Sequence, residues 1–248
     1  MLNKSFNVIV DQKVSHFKKT IKVDADKSTS IRVLLIGSIS EGITTAKNIL
    51  ESEDVFSTIK CLKKLGVKIL KRNNLYYIYG KGLGSLFAKR NTLLNFGNSG
   101  TLARLLIGLL STNPSIDLIL TGDHSLKKRS MKKLVLLMSE FGATFNPNKK
   151  FYFPLRIISS EFPIGINYKS GSSAQLKSAV ILAGLNSFGN TKVIEEKKSR
   201  DHTENILLKN DKVIKIKKNK KRLILINGKK KLNSLKVSVP GDPSSGAF

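Results

Sequence analysis

Short apolar runs alternate along this chain with polar turns rich in Gly, Ser and Thr, and the alternation comes three times. Asp26-Lys27-Ser28-Thr29-Ser30-Ile31-Arg32 leads into an apolar run over 33–39. Gly97-Asn98-Ser99-Gly100-Thr101-Leu102-Ala103-Arg104 leads into 105–110, and Ser170-Gly171-Ser172-Ser173-Ala174-Gln175-Leu176-Lys177 into 178–185. Small polar residues directly before an apolar run cap a helix by accepting from its first free N–H groups, so each turn predicts a helix start.

The pattern after each of these helices repeats as well. A short β-rich segment comes next, at 43–46, 116–120 and 191–194, and then a second helix. The second helices open at Glu53-Asp54-Val55, at Leu126-Lys127-Lys128-Arg129-Ser130-Met131 and at Arg200-Asp201-His202-Thr203-Glu204. Leu65-Gly66-Val67 and Phe141-Gly142-Ala143 read as matching helix stops, with Gly just past the last apolar turn. These two glycines stand 142 − 66 = 76 positions apart, and Gly97 and Gly171 stand 171 − 97 = 74 apart. Each unit closes on a strand pair: 68–71 with 75–79, 143–145 with 151–157, and a Lys-rich hairpin within 212–231. The chain is therefore three β-α-β-α-β-β units, which can pack their helices around one axis with the sheets as outer walls. The three turns would then meet at one end. Gly80, Gly82 and Gly84 resemble half of a dinucleotide fingerprint, but they open no apolar helix and read as a loop.

At 248 residues the chain can bury a large core, and 40% hydrophobic with 25% charged residues is ordinary for a soluble globular protein. No apolar run approaches the roughly 20 residues that span a bilayer. The N-terminus lacks the apolar core of a signal peptide, so a cytoplasmic location is expected. The lone Cys61 excludes a disulfide framework and falls mid-helix as a core residue, while His16, His124 and His202 show no metal-ligand spacing. The formal net charge of +27 is the extreme value. It admits nucleic-acid binding or a Lys-rich surface around a site for anionic metabolites. The hairpin alternates Val213, Ile214 and Ile216 with Lys215 and Lys217, which places its lysines on a solvated face and at the turn.

Three helix starts, each with Lys or Arg beside it, describe a site for a small ligand bearing several negative charges. The motifs resemble the 5-enolpyruvylshikimate-3-phosphate synthase family, in its bacterial class II form, over nearly the whole chain. The carriers are Asp26-Lys27-Ser28 with Arg32, Glu53-Asp54-Val55, Gly97-Asn98-Ser99-Gly100-Thr101 with Arg104, and Thr121-Gly122-Asp123 with Ser125 to Arg129. Ser173-Ala174-Gln175-Leu176-Lys177-Ser178, Ser199-Arg200-Asp201-His202-Thr203-Glu204 and Val239-Pro240-Gly241-Asp242 complete them, in family order. The resemblance implies an α/β (α+β) inside-out barrel of three repeats, helices inside and sheets outside. It makes 25–237 one complete three-repeat domain, and 1–24 and 238–248 pieces of a second.

The implied reaction transfers the enolpyruvyl group of phosphoenolpyruvate to the 5-hydroxyl of shikimate 3-phosphate and releases phosphate, with no metal or organic cofactor. The implied partners are those two small molecules, with no nucleic acid or membrane, and a monomer. Lys27 would touch both substrates and move a proton; a lysine among other cations gives its proton up more readily. Ser28, Arg32, Ser173, Ala174, Gln175 and Arg200 would bind shikimate 3-phosphate. Asn98, Gly100, Thr101, Arg129 and Gln175 would hold phosphoenolpyruvate, with Arg104 bracing the loop from behind. Gly rather than Ala at position 100 implies room for glyphosate, hence sensitivity to it. Ile31, Leu105 and Ser130 depart from the family pattern at supporting positions. The catalytic carboxylate, a further lysine and two arginines are implied to belong to the other half. Ser244 would cap a helix with no body, so the chain reads as C-terminally truncated and is not expected to turn over alone. The sister transferase acting on a UDP-sugar uses a loop Cys, and 121–130 contains none. A basic nucleic-acid-binding domain is the alternative of a different class, separated by the salt dependence of binding.

Overall fold

The computed structural model describes residue 9 and residues 23–147, 151–210, 212–218 and 221–242. Residues 1–8 and 10–22 of the N-terminal piece, His16, the hairpin turn at 219–220 and the helix start expected at Ser244 lie outside the described residues.

The first unit runs α1 (Lys27–Ser38), β1 (Glu41–Lys47), α2 (Glu53–Lys64), β2 (Lys68–Arg72) and β3 (Leu75–Lys81). The second runs β4 (Leu93–Asn95), α3 (Gly100–Thr112), β5 (Asp117–Thr121), α4 (His124–Lys127), α5 (Lys132–Glu140), β6 (Thr144–Asn146) and β7 (Leu155–Ile158). The third runs β8 (Asn167–Ser170), α6 (Ala174–Leu185), β9 (Asn190–Glu195), α7 (His202–Leu207), β10 (Ile214–Lys218) and β11 (Arg222–Asn227), followed by β12 (Lys236–Ser238).

Each unit builds one four-stranded sheet, and the sheets share a plan. The second is ordered β4-β5-β7-β6 and the third β8-β9-β11-β10, in each case with one parallel pair followed by two antiparallel ones. The first is ordered β12-β1-β3-β2, with β12 parallel to β1 through Thr45↔Lys236 and Ala46↔Val237. The strand that opens the first unit thus arrives from the far end of the chain. Residues beyond it stay alongside: Val239 N–H donates to the Lys47 carbonyl at 3.0 Å, Asp26 N–H to the Pro240 carbonyl at 2.9 Å, and Asp242 N–H to the Asp24 carbonyl at 2.8 Å.

The helices that follow the three polar turns are buried on nearly every side. In α1 every residue from Thr29 to Ser38 is buried, and in α6 every residue from Lys177 to Leu185. A helix apolar all round belongs in an interior, and these three form it. α3 and α6 approach so closely that a Cβ on Gly108 would lie 2.6 Å from the Ala179 carbonyl, and Thr112 Oγ1 donates to the Ala183 carbonyl at 3.1 Å. α2 buries one face only, through Val55, Thr58, Cys61 and Leu62. Cys61 is core, as its position predicts, and burial pushes its thiol up to about 12. The result is the inside-out arrangement, with helices at the centre and sheets outside.

Two expectations change in detail. The second helix of the middle unit is two, α4 and α5, parted at residues 128–131, where Met131 is buried and its N–H donates to the Phe151 carbonyl at 2.7 Å. β7 begins at Leu155 rather than 151. Both helix stops are where the glycines predict them: Gly66 has φ +82° and Gly142 φ +93°, the left-handed region that favours glycine. Lys215 and Lys217 are exposed on the hairpin while Val213 and Ile214 are buried.

Candidate active site

Each of the three central helices starts with a side-chain cap. Asp26 accepts from Thr29 N–H, Ser99 Oγ from Leu102 N–H at 3.2 Å, and Ser173 Oγ from Leu176 N–H at 3.3 Å. A cap satisfies only part of a first turn, so each start retains N–H groups and positive potential for an anion.

Two side-chain contacts bring the starts to the same end of the bundle. Gln175 Nε2 donates to Thr101 Oγ1 at 3.0 Å, joining α6 to α3. Arg32 Nη2 donates to Ser178 Oγ at 3.2 Å, joining α1 to α6. α7 closes on the same end: Arg32 Nε donates to Thr203 Oγ1 at 2.8 Å, and Thr203 Oγ1 donates to Ser178 Oγ at 2.8 Å. His202 Nδ1 lies 3.8 Å from Asp26 Oδ1. Burial draws the His202 pKa down, with the charges of Arg32 and Arg200 adding to it against Asp26 and Asp201.

The α3 start brings two arginines together. Arg129, in the break between α4 and α5, donates through Nη2 to Asn98 Oδ1 at 2.8 Å and to Ser125 Oγ at 3.2 Å. Arg104 Nη1 donates to the Gly100 carbonyl at 3.0 Å. A Cβ on Gly100 would lie 2.8 Å from Arg104 Nη1 and 3.2 Å from Arg129 Nη1, so both guanidinium tips rest on the face of this residue. Burial lowers the Arg104 pKa first, and the charge of Arg129 lowers it further. Among the described residues neither arginine has a carboxylate within ion-pair distance. Two converging guanidiniums without a counter-ion form a seat for a phosphate or carboxylate.

The other expected residues divide by exposure. Lys27 is half-exposed, and its Nζ pairs with Asp54 Oδ2 at 3.3 Å, a carboxylate at the α2 start, where the sequence predicts other cations. Ser28 is half-buried and its carbonyl accepts from Arg32 Nη1 at 2.9 Å. Arg32 is only 3% exposed, and three of its five N–H groups donate inside the protein; its pKa falls to about 10, chiefly by burial, with Arg200 contributing and Glu204 and Asp26 opposing. Arg200 is exposed, while Ser173, Ala174 and Gln175 are half-buried around the α6 start. Supporting residues that the sequence did not single out are Ser125, Ser178, Thr203 and Asp54. All four lie within the family-like motifs, so the motifs marked the neighbourhood but not which side chain touches which.

A family model described as EPSP synthase (3-phosphoshikimate 1-carboxyvinyltransferase) matches residues 12–248. This chain belongs to the EPSP synthase family. A 3-phosphoshikimate 1-carboxyvinyltransferase of Sulfurihydrogenibium sp. (strain YO3AOP1) is 38% identical over 242 residues, covering 96% of this chain and 55% of the relative. One from Parvibaculum lavamentivorans is 40% identical over 233 residues, covering 92% and 51%. The solved EPSP synthase structure from Acinetobacter baumannii superposes with a TM-score of 0.82 at 37% identity, over 92% of this chain and 51% of that one. The chain spans about half the length of the relatives it matches, and the EPSP synthase match takes in all three helix starts.

Proposed function

We propose that this chain forms one wall of a site where the enolpyruvyl group of phosphoenolpyruvate passes to the 5-hydroxyl of shikimate 3-phosphate. The carrying observation is the pair of unneutralised guanidiniums, Arg104 and Arg129, over Gly100, linked to the neighbouring helix start by Gln175 and Thr101. Asn98, Gly100, Thr101 and Arg129 hold phosphoenolpyruvate there. Ser173, Ala174 and Gln175 at the α6 start, with Ser28, Arg32 and Arg200, hold shikimate 3-phosphate, and Gln175 stands between the two ligands.

The chemistry explains the crowding of cations. A proton adds to the methylene carbon of phosphoenolpyruvate, the hydroxyl attacks the adjoining carbon and gives up its own proton, and the adduct loses phosphate and a proton of the new methyl group to restore the double bond. Fixed donors aimed at the anionic groups hold the reactants together without reorganising as charge shifts. Lys27, placed by Asp54 at the lip of α1, is the proton-moving group of this wall. The remaining acid–base groups belong to the half of the family fold that the relatives carry beyond the matched residues, and turnover requires that half. The protein works as a monomer in the cytoplasm.

Calorimetry of the chain with shikimate 3-phosphate tests the reading. A saturable one-to-one heat is expected, weakened roughly tenfold by Gln175→Ala, the loss expected for one hydrogen bond to a charged ligand. Absence of heat up to millimolar-scale ligand, with nucleic-acid binding of steep salt dependence instead, would overturn it.

A further inference from the structure

Beneath the α6 start the interior holds four ionised groups. Lys177 is fully buried, its Nζ 2.8 Å from Glu195 Oε1 and 2.7 Å from Glu204 Oε1, both carboxylates being buried too. Arg222 Nη1 adds contacts at 2.7 Å to Glu195 Oε2 and 3.6 Å to Glu204 Oε1. Neither Glu204 oxygen takes an aligned hydrogen bond, so this carboxylate is held by charge alone. Such a cluster is weak evidence for stability, because well-packed apolar residues of similar volume commonly do as well or better. Its geometry shows what else it does.

Glu195 ends β9 and Glu204 lies in α7, so the two carboxylates bracket the segment 199–203. At its near end, Ser199 N–H and Ser199 Oγ both donate to Glu195 Oε1 at 2.8 Å, on the oxygen that Lys177 also holds. At its far end, Glu204 is drawn to Lys177 and Arg222, and Arg222 Nη2 lies 3.7 Å from Asp201 Oδ2. Arg200, the residue after Ser199, is exposed between these two anchors. Thr203, next to Glu204, holds Arg32 at 2.8 Å. One buried cluster therefore fixes both ends of the segment that presents Arg200 beside Arg32, where like charges would otherwise drive them apart.

We infer that Lys177, Glu195, Glu204 and Ser199 are positioning residues that hold Arg200 against the repulsion of Arg32, so that the two cations meet one anionic ligand. The inference rests on the assignment of Arg200 to shikimate 3-phosphate for its ligand-binding consequence, and on the ion cluster alone for its structural one.

The test uses Ser199→Ala, which removes one hydroxyl from a half-buried site, with Glu195→Gln as a stronger second variant. In Ser199→Ala, shikimate 3-phosphate binds about fivefold more weakly, while the unfolding midpoint moves by no more than about 3 °C. Combining Ser199→Ala with Arg200→Ala weakens binding no further than Arg200→Ala alone, because the first acts through the second. Without ligand, the amide hydrogens of 199–201 exchange faster in both variants, while those of 98–101 are unchanged. Undiminished affinity in Ser199→Ala, or losses that add with Arg200→Ala, would overturn the inference. If the parent chain binds no shikimate 3-phosphate, the functional reading fails, and exchange still decides the structural claim: faster at 199–201 supports it, unchanged rates there refute it.

Discussion

Replacing Gly100 by Ala separates the anion seat from the stability of the fold. Gly100 is the first residue of α3, and its φ lies outside the left-handed region, so alanine fits the backbone. The added methyl meets no backbone, only the tips of Arg104 at 2.8 Å and Arg129 at 3.2 Å. To regain an ordinary contact of about 3.5 Å the Arg104 tip must retreat by about 0.7 Å, and that of Arg129 by about 0.3 Å. Long side chains move so far at little cost, and alanine adds about 0.5–1 kcal/mol by restricting the unfolded chain. The unfolding midpoint of Gly100→Ala should therefore hold or rise slightly. The seat fares differently, because a displaced guanidinium forfeits a charge-assisted hydrogen bond worth about 1.5–3 kcal/mol. Phosphoenolpyruvate should bind roughly tenfold to a hundredfold more weakly, titrated with shikimate 3-phosphate present. Glyphosate, which would share the seat, should compete with phosphoenolpyruvate in the parent and far less in the variant. Equal phosphoenolpyruvate affinity in parent and variant would refute the placement of the seat over Gly100.

The interior ions and one helix stop supply the other predictions. Lys177→Met leaves Glu195 and Glu204 facing each other with only Arg222, and should cost about 3–5 kcal/mol, read from urea unfolding. Burial alone would raise the Glu195 pKa, but the bonds from Lys177, Ser199 and Arg222 hold it down at about 2. A carboxyl depressed from its ordinary 4.5 stabilises the fold fully above that value and loses its contribution as pH falls from 4.5 towards 2. The loss should amount to about 3 kcal/mol, and Glu195→Gln should flatten that acid limb. Gly142→Ala forces a side chain onto φ +93° and sets its Cβ 2.6 Å from Ser160 Oγ, which should cost at least about 1–2 kcal/mol in the same unfolding assay.

Much of this architecture was legible where one residue type decides a local event. Ser99 and Ser173 cap helices because a small polar side chain before an apolar run has that one good use. Gly66 and Gly142 stop helices because glycine takes the positive φ of a helix stop without strain. The strands that open the second and third units escape a sequence pattern, because β4 and β8 are three and four residues long and their partners lie a whole helix away. The pairing of β12 with β1 is less visible still, since a strand's periodicity says nothing about a partner some 190 positions distant. The break at 128–131 hid under an unbroken helical pattern; Met131 stays in the core while Arg129 turns back to Asn98, so the departure falls at the candidate site. The site's charged residues stand out from their turns, but which donor meets which acceptor depends on packing between units. Arg32 is the clearest case: a cation beside a polar turn also braces Ser178 and Thr203 from within.

The convergence of three helix starts on one anionic ligand is tested most directly by mapping backbone amide chemical shifts of the chain during a titration with shikimate 3-phosphate. The amides of 27–28, 173–175 and 200 should move together along one binding curve, with those of 98–101 following when phosphoenolpyruvate is added. Shifts confined to the lysines of β10, or scattered with no common curve, would contradict the account.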